Sequence, residues 1–111
     1  MTRSALAVVL TLALAAPLPA EDAVARGKQL YQEQNCRMCH NLGGVGNPKG
    51  VALDEVGGKH STEALKMWLT NPKEMAQKAG STRKPPMKSF ATLPAADVDA
   101  LVSYLSTLRR K

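Results

Sequence analysis

The chain has 111 residues, a formal net charge of +6 at pH 7 and an aromatic content of only 4%. That length accommodates one domain at most. Its four aromatic side chains, Tyr31, Trp68, Phe90 and Tyr104, are too few to build a rich core unaided, so a domain of this size benefits from a staple.

The first residues read as a secretory leader. Arg3 makes a short positive start, Ala5 to Ala16 is small and apolar apart from Thr11, and Pro17-Leu18-Pro19-Ala20 precedes the charged Glu21-Asp22. This is the three-part layout of a cleaved signal peptide. The cut is placed after Ala20, which leaves residues 21–111 as the domain. Ala13-Leu14-Ala15 offers a second small-x-small site. An uncleaved membrane anchor is the rival reading, although the apolar run is short for a bilayer. No later stretch is long or apolar enough to insert stably in a membrane, and the location implied is the periplasm.

Asp22 to Gln34 has the spacing of a first helix, with Asp22 as its cap and Val24, Gly27, Leu30 and Tyr31 along one face. Gly27 weakens a helix, so a close contact with another helix is the expected compensation. Asn35 marks a bend.

Cys36-Arg37-Met38-Cys39-His40 follows. Two thiols three positions apart, with an imidazole next to the second, form the attachment signature of c-type haem. On a helical turn both sulfurs reach one edge of the macrocycle, as thioethers, and His40 becomes the proximal iron ligand. A redox-active Cys36–Cys39 pair is an alternative, but it expects a strand and helix alternation that is not evident here. A zinc site would need ligands beyond His40 and His60.

Residues 41–58 read as a glycine-punctuated loop without strands, suited to wrapping one edge of a haem, with Leu53 and Val56 pointing inward. A carbonyl of this loop is expected to accept the His40 Nδ1 proton, leaving Nε2 for iron. Ser61 to Thr70 is a second helix with Ser61 as cap, closed by Asn71-Pro72. Trp68 lies on its inner face, and a haem propionate is a candidate partner for its indole N–H. Lys73 to Lys84 is basic and hard to assign, with a helical turn around Glu74 to Lys78. Pro85-Pro86 then forbids a helix and stiffens the chain ahead of Met87, which is the expected second axial ligand. Met75 is its competitor, Met38 points away, Met67 packs, and His60 is a surface residue. A last helix starts at Thr92 or Leu93 and runs to Leu108, with Pro94 in its first turn and Val98, Leu101, Val102, Leu105 and Leu108 as its stripe. Arg109-Arg110-Lys111 complements its C-terminus.

Taken in order, these features resemble the small monohaem class I cytochromes c over the whole domain. The resemblance rests on Gly27-Lys28-Gln29-Leu30-Tyr31, Cys36 to His40, Gly50-Val51-Ala52-Leu53, Trp68-Leu69 with Pro72, Pro86-Met87 with Phe90, and Leu93 to Leu105. Val51 stands where that family usually has proline. The resemblance implies an all-α fold of three to four helices around one covalent haem c, with the first and last helices packed together. It also implies iron ligated by His40 and Met87.

The function expected is that of a periplasmic electron carrier, not an enzyme. A fixed haem subunit of a larger oxidoreductase complex is the alternative, and a haem enzyme or gas sensor with an open distal side is a third. Lys49, Lys84 and Lys88, with Lys73, Lys78 and Arg83, are expected around the haem edge, where they would steer the protein to acidic faces of redox proteins or membrane respiratory complexes. Nucleic acid is not an expected partner, because no base-stacking aromatic set accompanies the basic charge.

Overall fold

The computed structural model describes residues 4–5, 7–9 and 19–110. Most of the expected leader, residues 1–3, 6 and 10–18, lies outside the described residues, as does Lys111. Among the described residues there are five helices, where three to four were expected, and the first and last pack against each other, as expected of this fold class.

Helix α1 spans Ala20–Glu33. It starts two residues earlier than the sequence predicts. Pro19 takes the cap position without a side-chain bond, and its carbonyl accepts Ala23 N–H at 3.1 Å. Asp22 therefore acts through its charge in the first turn, beside Glu21, where the helix dipole favours acids. Gly27, Leu30 and Tyr31 form its buried face. Helix α5, Ala95–Ser106, crosses this face with Val98, Ala100, Leu101, Val102 and Leu105 buried. Pro94 is its cap residue and not a first-turn member, with its carbonyl receiving the amides of Asp97 and Val98. Leu30 and Leu101 are each only 1% exposed. Burying such a side chain is worth about 1.5–3 kcal/mol, which makes this crossing the energetic centre of the chain. The Arg26–Asp97 pair at its edge, 3.5 Å apart and partly exposed, adds little by comparison.

Between these helices lie α2 (Val56–Lys59), α3 (Thr62–Thr70) and α4 (Pro72–Ala79). Ser61 caps α3 by accepting the Ala64 amide at 3.1 Å. Pro72 does more than end α3, because it is also the first residue of α4. The uncertain basic stretch, Lys73 to Lys84, is thus helical as far as Ala79, as part of a helix of two turns. Glu74 supports it twice, by accepting from Asn71 Nδ2 at 2.6 Å and by pairing with Lys78 at 3.2 Å. Gly80 closes α4 in the left-handed conformation, with Ser81 N–H returning to Ala76 O.

The loop expected over residues 41–58 is a correction. It contains a small three-stranded sheet in the order β2-β1-β3, formed by β1 (His40–Leu42), β2 (Val45–Gly46) and β3 (Val51–Ala52). β1 and β2 form an antiparallel hairpin, with Leu42 opposite Val45. Its turn is Gly43-Gly44, both at positive φ as a tight two-residue hairpin requires. β3 runs parallel to β1, with His40 opposite Val51 and Asn41 opposite Ala52. Strands of two or three residues show no alternation to read, but the Gly-Gly pair was a legible hairpin signal.

The C-terminal arginines do more than neutralise a helix end. Arg109 donates to Ser106 O at 3.2 Å and to Gly57 O at 3.0 Å, and Arg110 pairs with Glu55 at 2.8 Å. They fasten α2 to the end of α5.

Candidate haem attachment site

Asn35 turns the chain out of α1. Its left-handed backbone, φ 56° and ψ 38°, is a conformation asparagine tolerates better than most residues. A single 3-10 turn, Cys36–Met38, follows, with Met38 N–H bonded to Asn35 O at 3.0 Å and Cys39 N–H to Cys36 O at 3.2 Å. This turn carries both sulfurs. Cys36 is half-buried against the core, Cys39 is exposed, and both are free thiols. Burial pushes the Cys36 thiol above its ordinary range, and the Lys88 ammonium offsets part of that rise. Lys88 is the neighbour of Met87.

His40 opens β1. Its Nδ1 lies 3.1 Å from Val51 O. With the proton on Nδ1 the carbonyl accepts it, the ring is oriented, and Nε2 keeps its lone pair. The valine carbonyl thus provides the acceptor that the loop was expected to provide. Two glycines let the surrounding backbone come this close. A Cβ on Gly50 would overlap the carbonyl oxygen of Cys39, and one on Gly46 would overlap that of His40.

Two asparagines tie the same loop together, and the sequence reading did not single them out. Asn47 donates its amide to Arg37 O and His40 O, and its Nδ2 to Met38 O at 3.1 Å. Asn41 Nδ2 donates to Asn47 O and Gly50 O, each at 3.1 Å. Asparagine in a glycine-rich turn is the signal that could have found them.

Met87 is half-buried and packs against the same core cluster as Cys36. Its segment is held downstream by Phe90 N–H to Leu69 O at 2.7 Å and by Ser89 Oγ to Thr70 O at 3.0 Å. Upstream, Arg83 Nη1 donates to Lys49 O at 3.2 Å. Trp68 is half-buried on α3, next to the Leu69 carbonyl that anchors Phe90. Met75 and Met67 are half-buried on α4 and α3, Met38 is 69% exposed, and His60 is exposed just past α2. Among the described residues, no group of three or more His, Cys, Asp or Glu side chains could hold a bare metal ion. The donor set fits haem: two free thiols on one turn, an oriented imidazole with one nitrogen open, and a thioether packed against the same core cluster as Cys36.

The sequence model of the family described as Cytochrome c matches residues 24–109. The chain is also similar to a protein named cytochrome c oxidase subunit 2 from Alkalihalophilus pseudofirmus, at 27% identity over 99 residues. That match covers 82% of this chain and 27% of the relative, so the chain spans about a quarter of that protein's length. The match over residues 24–109 takes in α1 from Val24 onward, the attachment turn, the Met87 segment and α5. The chain belongs to the cytochrome c family, as a class I member whose Cys36, Cys39 and His40 fit the motif that carries covalent haem c for electron transfer.

Proposed function

We propose that the chain is an exported, periplasmic one-electron carrier and not an enzyme. Cys36 and Cys39 would hold haem c as thioethers, and His40 Nε2 and Met87 Sδ would be the protein's two ligands to its iron. The haem supplies a one-electron couple between Fe(II) and Fe(III). Met87, as a thioether ligand, favours Fe(II) and raises the potential relative to a second imidazole. The carrying observation is the double anchoring of the Met87 segment, at Lys49 O before the prolines and at Leu69 O and Thr70 O after them. A ligand on a strap held at both ends stays bound in both oxidation states and leaves no open side for oxygen or peroxide.

The leader of residues 1–20 directs export in this reading. Among the described residues no helix is long and apolar enough to cross a membrane. Trp68 donates its indole N–H to a propionate. Lys49, Arg83, Lys84 and Lys88 are exposed around the attachment turn and the Met87 segment, and they steer the protein to acidic faces of redox proteins or respiratory complexes. A second reading is supported by the oxidase-subunit relative: the domain serves as a fixed haem subunit of a larger complex.

Optical spectra of the exported protein test this. Expected are covalent haem that survives acid extraction and a far-red ferric methionine band that is lost in Met87→Ala and kept in Met75→Ala. Rapid, tight cyanide or carbon monoxide binding by the untreated protein would count against ligation on both sides. Co-purification of the native protein with a partner favours the fixed subunit over the carrier.

A further inference from the structure

The turn 47–51 serves both sides of the site. At Val51 its carbonyl faces His40 Nδ1. Two residues earlier, at Lys49, its carbonyl receives the guanidinium of Arg83, across 34 positions of sequence. The turn itself is well braced. Asn47 Oδ1 takes the Lys49 amide at 2.9 Å, Asn47 O takes the Gly50 amide at 3.0 Å, and Gly50 is pressed against Cys39 O. Arg83 therefore grips a rigid point. Between Arg83 and Met87 stand Lys84, Pro85 and Pro86. Each proline fixes φ near −65°, so little of a displacement at one end is absorbed before the other.

We propose that Arg83 is a positioning residue for Met87, latching the proline-stiffened strap to the turn that orients His40 and so protecting Met87 from exchange with outside ligands. This rests on the reading above, in which Met87 binds iron. Without the latch, the chain between Ser81, which closes α4, and Ser89 has no other hydrogen bond to the rest of the domain among the described residues. Met87 then leaves the site more often, while the His40 side, held by Val51, Gly50 and the two asparagines, is untouched. Lys84 is the natural control. It is the next residue, carries the same charge and is exposed, but makes no hydrogen bond to the turn among the described residues.

The test uses the ferric holoprotein and imidazole at about pH 8, where the probe is mostly its neutral, iron-binding form and its entry does not report the local field. Displacement of Met87 is followed by loss of the far-red band, and helix unfolding by circular dichroism in denaturant. In Arg83→Gln, imidazole entry is expected about fivefold faster than in the parent protein, the change one exposed hydrogen bond of ordinary worth supplies. Lys84→Gln is expected to match the parent; Arg83→Gln loses no more stability than the one bond supplies, whereas Ser61→Ala, which removes the α3 cap at a similar cost, is expected to keep the parent's entry rate. Equal entry rates in Arg83→Gln and the parent overturn the latch. Equal acceleration in Lys84→Gln shows a charge effect and overturns it too, as does equal acceleration in Ser61→Ala, which would show a general loss of stability. Failure of the underlying reading looks different: the parent itself has no far-red band, and Met87→Ala binds imidazole at the parent's rate.

Discussion

Gly27 on α1 lies directly against Ala100 on α5. A Cβ on Gly27 would overlap the Ala100 carbonyl oxygen and stand 2.6 Å from Tyr104 Cβ. The obstruction is backbone, which cannot rotate aside as a side chain can. Beside it the Tyr31 and Tyr104 rings meet edge to face, 5.9 Å apart between centroids and 68° between planes. The close approach of the two helices thus depends on a residue with no side chain.

Gly27→Ala is therefore expected to destabilise the holoprotein by about 3 kcal/mol, at the upper end of the overpacking range, because the two helices must separate. Gly58→Ala is the comparison. A Cβ there meets only Arg109 Cβ, at 3.6 Å, an ordinary contact. It sits in α2 at negative φ and is expected to be neutral or to stabilise by up to about 1 kcal/mol through lost chain entropy in the unfolded state. Denaturant unfolding of both variants checks this, and similar losses in the two would contradict it.

Gly50→Ala acts on the iron site. Its new methyl would collide with Cys39 O and push β3 away from β1, drawing Val51 O off His40 Nδ1. A stability loss of about 2 kcal/mol is expected from the strain. The reduction potential is expected to rise, because an imidazole without its hydrogen-bond acceptor donates less electron density to iron. Potentiometry on the purified variant measures this; an unchanged potential would show that Val51 does not tune the ligand.

Tyr31 sets a pH dependence. Its hydroxyl is buried and has no hydrogen-bond partner among the described residues. Burial, with lesser contributions from Cys36, Tyr104 and Asp54, pushes its pKa from 10.0 up to about 12. The Cys36 contribution disappears once that sulfur carries haem, and burial remains. Below pH 10 the phenol is protonated in both states. Between pH 10 and 12 the unfolded chain releases a proton that the folded chain keeps, so stability falls as pH rises through that window, by about 2–3 kcal/mol. Tyr31→Phe removes this slope and, by deleting an unsatisfied hydroxyl, is expected to gain about 1 kcal/mol at pH 7. Tyr104, also raised by burial, leaves a residual slope in the variant. Urea unfolding of both proteins from pH 7 to 11.5 cancels the shared lysine titrations, and parallel curves would refute the assignment.

The attachment turn, the cap at Ser61, the stripe of α5 and the contact at Gly27 were legible because each is written in neighbouring residue types. A thiol, an imidazole, a hydroxyl cap or an i, i+3, i+4 pattern carries its meaning locally. The α4 helix was half legible: Glu74 and Lys78 showed the turn, while Pro72 looked like a stop when it is also a start.

What only the tertiary structure decided runs through backbone carbonyls. Val51 O on His40, Lys49 O under Arg83, Gly57 O under Arg109 and Leu69 O on Phe90 N–H join residues far apart in sequence. Every residue has a carbonyl, so the acceptor leaves no mark in the sequence, and the donor's partner is chosen only when the chain has closed. The short sheet is hidden for the same reason. The residues that name the chemistry are local, and the contacts that orient His40 and hold Met87 in place are made by a backbone that any sequence shares.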